Sequence, residues 1–275
     1  MLVFPGCKIN IGLRIVSRRD DGYHNLETVF YPVPVHDALE ALPNRHSPTD
    51  EWTQTGLTIA GDPANNLCLR ALALLRQQLP PDTIPALCMH LHKAIPMGAG
   101  LGGGSADGAY MLRLLNDQFG LALPRQQLLN LALELGSDCP FFIDPQPCFA
   151  WGRGELMEPL PLQLSGYELV LVNPGIHVNT GWAFGQIKPA QPASSLAELV
   201  QLPVAEWRQQ VINDFEAPVA AAHPAVAQLL KQLYAQGAVY AAMSGSGSTC
   251  YGLFAAGTVP PQAWPEGYWC RVLAL

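Results

Sequence analysis

Ile95-Pro96-Met97-Gly98-Ala99-Gly100-Leu101-Gly102-Gly103-Gly104-Ser105-Ala106-Asp107-Gly108-Ala109 is the stretch whose reading decides the fold. Five glycines fall between positions 98 and 104, with a strand-like run before them and a helix-like run after. With so few side chains, backbone N–H groups can converge on an anion while the following helix adds its positive end. Ordinary turns need one or two glycines rather than five. The stretch has the outline of a phosphate cradle.

Three kinds of cradle are distinguishable. A Walker-type loop needs a lysine followed by Ser or Thr after its last glycine; here Gly103 is followed by Gly104 and Ser105. The dinucleotide fingerprint G-x-G-x-x-G is met literally by Gly98, Gly100 and Gly103. It also wants a strand ending in an acidic residue about twenty positions on, and the segment from Leu114 to Leu135 reads as helical. A Gly-Ser-rich loop lying over a nucleotide's phosphates remains, and a Rossmann-type oxidoreductase falls to a distant place.

The chain of 275 residues is long enough for a substantial core. Apolar residues make up 49 %, charged residues only 13 %, and the net charge is −7 with no basic run. That argues against a nucleic-acid surface. An anionic nucleotide must then be attracted locally, by a helix N-terminus, one or two lysines and a divalent cation. Seven cysteines without C-x-x-C spacing suit reduced thiols of a cytoplasmic protein. The uncharged part of Gln232–Pro265 is broken by Ser244-Gly245-Ser246-Gly247-Ser248 and by prolines, so no membrane helix is expected.

In chain order, residues 2–16 alternate as a strand, placing Lys8 and Asn10 on one face. Strand-like runs follow around Glu27–Val35 and Trp52–Ile59. Asp62-Pro63 reads as a helix start, with Leu67, Ala71, Leu74 and Leu75 on one stripe as far as about Leu79. Ala86–Lys93 alternates again; His90 and His92 read as a polar strand face, since no third metal ligand follows. Helices are expected at Ala106–Gln118 and at Pro124–Leu135, the latter stopped by Gly136. Asp138 then sits at a sharp turn, placed for capping or for catalysis. Later come a strand over Glu168–Asn173, a short helix opened by Asn179-Thr180, and helical patterns in Leu196–Phe215 and Pro224–Gln236. The Ser244–Ser248 loop joins two strands and is placed to close on the same phosphates.

Three blocks stand in one order: Lys8-Ile9-Asn10, Pro96 to Ala106, and Ser244 to Ser248. This arrangement resembles the GHMP kinase superfamily. Asp20-Asp21-Gly22-Tyr23-His24, the triple glycine before Ser105-Ala106-Asp107, Gly136-Ser137-Asp138-Cys139-Pro140-Phe141-Phe142 and Asn213-Asp214-Phe215-Glu216 extend the resemblance over nearly the whole chain. It implies an α/β fold (an α+β two-layer arrangement) with a ribosomal protein S5 domain 2-like N-terminal part, a ferredoxin-like C-terminal part and a left-handed crossover. The expected division is residues 1–150, binding ATP, and residues 151–275. The implied activity is ATP-dependent phosphorylation of the 2-hydroxyl of a cytidyl-linked methylerythritol, in the non-mevalonate route to isoprenoids.

By that resemblance Asp138 contacts the accepting hydroxyl and Lys8 stands beside it, which suits a reaction made of positioning and charge stabilisation. ATP is expected on Pro96, Met97, Gly98, Ala99, Gly100, Leu101, Gly102, Gly103, Gly104, Ser105 and Ala106, with Asn66 and Lys93 near the adenine. Asn10 is expected to touch the sugar-like part, Tyr23 and Phe184 to sandwich the cytosine, His24 and Thr180 to hold base or substrate groups, and Phe30 to line the pocket. Mg²⁺ is expected with ATP and Ser105 is a candidate neighbour of it, but no carboxylate cluster reads as its ligand set. Cys7, Gly108 and Gly181-Trp182 depart from the family pattern, and Gly108 should loosen its helix by about 1 kcal/mol. The partner is a small molecule, with no nucleic acid or membrane, and the oligomeric state stays open between monomer and weak dimer. Competing readings are a kinase of the same superfamily acting on another alcohol, and a nucleotide-binding module without catalysis.

Overall fold

A computed structural model describes residues 1–58 and 65–275, so the expected helix start at Asp62-Pro63 lies outside the described residues. The chain forms two compact units, one of Met1–Cys7, Pro34–Met97 and Gly102–Pro145, the other of Lys8–Val33, Gly98–Leu101 and Gln146–Leu275. This partition crosses the expected boundary at residue 150. Strand pairing is the reason: β3 (His24–His36) is bonded to β7 (Cys148–Gly152), with Leu26 opposite Gly152 and Phe30 opposite Cys148.

The first unit holds a four-stranded sheet in the order β1 (Leu2–Val3), β4 (Ala38–Pro43), β6 (Leu87–Lys93), β5 (Glu51–Gly56). β5 and β6 are parallel and the other pairings are antiparallel. The alternation expected in β6 is present: Leu87, Met89 and Leu91 are buried, while His90 bonds Thr53 and Thr55 and His92 bonds Thr55 on the other face. Between β5 and β6 runs α1 (Leu67–Gln78), capped by Asn66, whose side chain accepts from the Cys68 amide. Its buried stripe is Cys68, Ala71, Leu72 and Leu75, so Cys68 and Leu72 replace the expected Leu67 and Leu74.

α2 (Gly103–Gln118) begins three residues before the expected Ala106; two glycines of poor helix propensity in its first turn hide that start from the sequence. Gly108 on α2 faces α1: a Cβ there would lie 2.8 Å from Leu67 Cβ. The missing methyl lets the two helices approach, which explains this departure. α3 (Arg125–Leu135) ends at Gly136, whose φ of 170° is extended backbone and not the left-handed cap expected of a terminal glycine.

The second unit holds two four-stranded sheets. One has the order β2 (Gly6–Arg18), β3, β7, β8 (Leu156–Pro159), with β7 and β8 forming a hairpin. The other has the order β10 (Tyr240–Met243), β11 (Cys250–Ala255), β9 (Tyr167–Asn173), β12 (Trp269–Ala274). Beneath it Val170, Val172, Val219, Val226, Leu229 and Leu233 pack with Leu13 and Ile15 in one core. The helices there are α4 (Thr180–Gly185), α5 (Leu196–Leu199), α6 (Glu216–Ala222) and α7 (Pro224–Ala235).

The single helical pattern read over Leu196–Phe215 is broken. α5 stops after one turn, Pro203 disfavours helix at the residue before it, and a 3₁₀ turn covers Val204–Gln209. The chain then bridges to β2 at Leu13–Asn213.

Candidate active site

In the second unit, backbone and side-chain hydrogen bonds knit three distant stretches together. The amide of Lys8 donates to the Leu101 carbonyl at 3.0 Å, and Thr249 donates to Ala99 at 3.2 Å. Ser244 Oγ accepts from the Asn10 amide at 3.0 Å and donates to the Gly100 carbonyl at 2.8 Å. Gly100 has φ 80°, and a Cβ on it would fall 1.9 Å from the Ser244 carbonyl oxygen. Only glycine fits so close an approach. Asn213 holds the serine loop from behind, its amide donating to the carbonyls of Met243 and Gly245. Glu216 accepts from the Met243 amide, and burial pushes its carboxyl up against that opposing bond.

Lys8 and Asn10 share a face of β2 as their spacing requires, and both are buried. Lys8 Nζ donates to Asn10 Oδ1 at 2.5 Å and to the Gly100 carbonyl at 3.5 Å, and lies 4.9 Å from the centre of the Phe30 ring. Phe30 is 2 % exposed, so it supports Lys8 from within the core where the sequence suggested a pocket wall.

Of the expected clamp, Phe184 stacks on His24 with centroids 4.9 Å apart and meets Phe215 edge-on. His24 thus belongs to the aromatic stack, one ring face lying against Phe184. Tyr23 is 56 % exposed with the Arg153 guanidinium 5.1 Å from its ring centre. Thr180 Oγ1 is 3.1 Å from Ser246 Oγ, which brings a candidate substrate residue to the serine loop. Gly181 leaves room for the cap that Asn179 makes on α4, since a Cβ would crowd Asn179 Oδ1 at 3.2 Å.

In the first unit, Gly102 (φ 70°) is the N-cap of α2. No side chain caps this end and no acidic residue stands in its first turn. The N–H groups of a 16-residue helix are therefore presented by Gly103, Gly104 and Ser105. This arrangement fits a phosphate, and a Cβ at Gly104 would sit 2.8 Å from Met97 Cε.

Asp138 stands at the N-terminal end of the 3₁₀ turn Cys139–Ile143, but its side chain makes no cap hydrogen bond to that turn. The capping role that its position allowed is not used. Ser105 bonds the neighbouring Cys139 thiol, which burial raises to about 12 and so keeps unreactive. The loop serine and the aspartate turn are adjacent in this unit.

Lys93 differs from its expected role. The residue is 1 % exposed, and its ammonium is ion-paired to Asp37 and to Asp107. Burial alone would lower its pKa, and the two carboxylates reverse this to a net rise. Burial raises Asp107 to about 7 against the pull of Lys93. Asp37 also accepts the amides of Ala94 and Ile95. The side chain of Lys93 anchors the strand that leads into the glycine loop and offers no charge to an adenine. Asn66 is likewise engaged, as the cap of α1.

Sequence reasoning missed Thr28, Tyr251 and the role of Asn213; a polar residue within an apolar strand was the available signal for Thr28. Among the described residues, no group of three His, Cys, Asp or Glu side chains could hold a metal ion. No helix among them is long and apolar enough to cross a membrane.

The family models for the GHMP kinase N-terminal and C-terminal domains match residues 66–145 and 194–263. Fold and family models together are those of a GHMP small-molecule kinase, an enzyme that uses ATP. A 4-diphosphocytidyl-2-C-methyl-D-erythritol kinase of Bacteroides fragilis is 51 % identical over 257 residues, covering 92 % of each chain. One from Parabacteroides distasonis is 48 % identical, also over 92 % of each. A crystal structure of 4-(cytidine 5'-diphospho)-2C-methyl-D-erythritol kinase superposes with a TM-score of 0.77 at 30 % identity, covering 92 % of this chain and 90 % of that one. The chain belongs to the 4-diphosphocytidyl-2-C-methyl-D-erythritol kinase family.

Proposed function

We propose that the chain transfers the γ-phosphoryl group of ATP to the 2-hydroxyl of 4-diphosphocytidyl-2-C-methyl-D-erythritol, giving the 2-phosphate and ADP in non-mevalonate isoprenoid synthesis. The observation that carries this is the bonding of Lys8, Asn10, the 98–101 turn and Ser244 into one buried network. A binding module without catalysis has no need to fix a lysine against a phosphate loop.

ATP supplies the phosphoryl group. Residues 96–106, all within 1–150, hold its phosphates through backbone N–H groups and the positive end of α2. Asp138 accepts the proton of the attacking hydroxyl, a role supported by the bond that joins the next residue of its turn, Cys139, to Ser105 of the glycine-rich stretch. Lys8 stabilises the charge that develops on the transferred group. Asn10 orients Lys8 and the polyol, while Tyr23, His24, Phe184 and Thr180 receive the cytidine end by stacking and hydrogen bonding. Mg²⁺ is proposed to come bound to ATP; no protein ligand is assigned to it and no step runs through it.

The test is ADP release by the purified chain with ATP and Mg²⁺, comparing the cytidyl-methylerythritol with mevalonate and with sugar alcohols. Turnover confined to the first supports the reading. Equal rates on all three, or none on the first, contradict it.

A further inference from the structure

We propose that Thr28 is a positioning residue that sets the polarity of a hydrogen-bond relay ending on Lys8. The relay lies within the second unit and joins four residues of β2 and β3. Thr28 Oγ1 donates to the Gly12 carbonyl at 2.6 Å. Asn10 Nδ2 donates to Thr28 Oγ1 at 2.9 Å, and Lys8 Nζ donates to Asn10 Oδ1. Thr28 is 1 % exposed and Asn10 2 %, so neither can exchange a partner for bulk water.

The direction of each bond follows from donor chemistry. A carbonyl only accepts, so the single hydroxyl proton of Thr28 is committed to Gly12. Thr28 Oγ1 must therefore accept from Asn10, which turns the Asn10 NH₂ toward Thr28. The amide oxygen is left facing Lys8, whose ammonium carries only donors. A flipped amide would set NH₂ against NH₃⁺ and oxygen against oxygen. The backbone of Asn10 is fixed as well: its N–H donates to Ser244 Oγ, and its carbonyl accepts from the buried Tyr251 hydroxyl at 3.0 Å. The one torsion left to set at Asn10 is the amide flip, and Thr28 sets it. This inference rests on the reading of Lys8 as the group acting on the transferred phosphate.

Thr28→Val keeps the shape and removes the hydroxyl. It should lower kcat about 10- to 100-fold and leave KM for ATP within about 2-fold, because the donor loop is untouched. Thr28→Ser restores the acceptor and should stay within about 3-fold of wild type. In an Asn10→Ala background, Thr28→Val should have no further effect. If Thr28→Val does not fold, Thr28→Cys, whose thiol is a weak donor and acceptor, carries the same comparison.

An activity-free readout is solvent exchange of the Asn10 side-chain amide by NMR, slow in wild type and at least about 10-fold faster in Thr28→Val once its buried acceptor is gone. A kcat within 2-fold of wild type, an equal fall in Thr28→Val and Thr28→Ser, or an unchanged exchange rate would each overturn the proposal. Should wild type show no turnover, the proposed reaction fails while the exchange measurement still decides the relay.

Discussion

Among the described residues two lysines are buried, Lys93 in the first unit and Lys8 in the second, and each has distinct contacts within its own unit. Lys93 is neutralised by Asp37 and Asp107. Within its own unit, Lys8 meets an amide oxygen, a backbone carbonyl and an aromatic ring, which orient its ammonium. The carboxylates of Asp37 and Asp107 tie Lys93 between elements; the amide oxygen, carbonyl and ring around Lys8 aim its ammonium. Lys93 thus ties the fold together, while the proposed function gives the chemistry to Lys8.

The largest effect expected from this contrast is at Lys93. Lys93→Met leaves two carboxylates buried without their cation and should cost about 3–5 kcal/mol of stability in denaturant unfolding. A loss under about 1 kcal/mol would break the contrast. Lys8→Met should instead lower kcat about 10²- to 10³-fold while shifting the unfolding midpoint little, as for other groups that meet developing charge. A collapse of stability there would make Lys8 a second structural lysine.

Asp107 sharpens the comparison through pH. Its carboxyl is raised from 3.8 to about 7 by burial, so between those values the folded state holds a proton that the unfolded chain has released. The stability this contributes is full below about pH 3.8 and lost as pH rises through about 7. Asp107→Asn has no such titration. Its melting temperature should fall less steeply than that of wild type between pH 4 and 7; parallel curves would remove Asp107 from the account.

The smallest effect concerns Gly108. By helix propensity alone, Gly108→Ala should stabilise by about 1 kcal/mol. With Leu67 Cβ 2.8 Å from the added methyl, a net loss of about 1 kcal/mol is expected in thermal unfolding. A gain would show that α1 and α2 part without cost.

These cases also mark what could be read before the structure. Strand alternation placed Lys8 beside Asn10, and glycine density located the anion cradle, because both depend on local geometry alone. The broken run after Leu196 was missed because its apolar spacing mimics a helix while Pro203 and the bond from Arg14 to the Gln210 carbonyl divide it. β4 and the edge strand β12 were missed as short runs with little contrast between faces. Lys93 was read as a ligand residue since its two carboxylate partners lie 56 and 14 positions away, and no local pattern reports such pairings. The stack of His24 on Phe184 escaped for the same reason.

The central claim is that residues 98–104 hold the donor while Lys8 and Asp138 perform the transfer. Asp138→Ala tests it most directly, with turnover and ATP affinity measured on the same preparation. The account predicts turnover reduced at least about 10²- to 10⁴-fold with ATP affinity within about 2-fold of wild type. Retained turnover, or a loss of ATP binding that matches the loss of turnover, would contradict it.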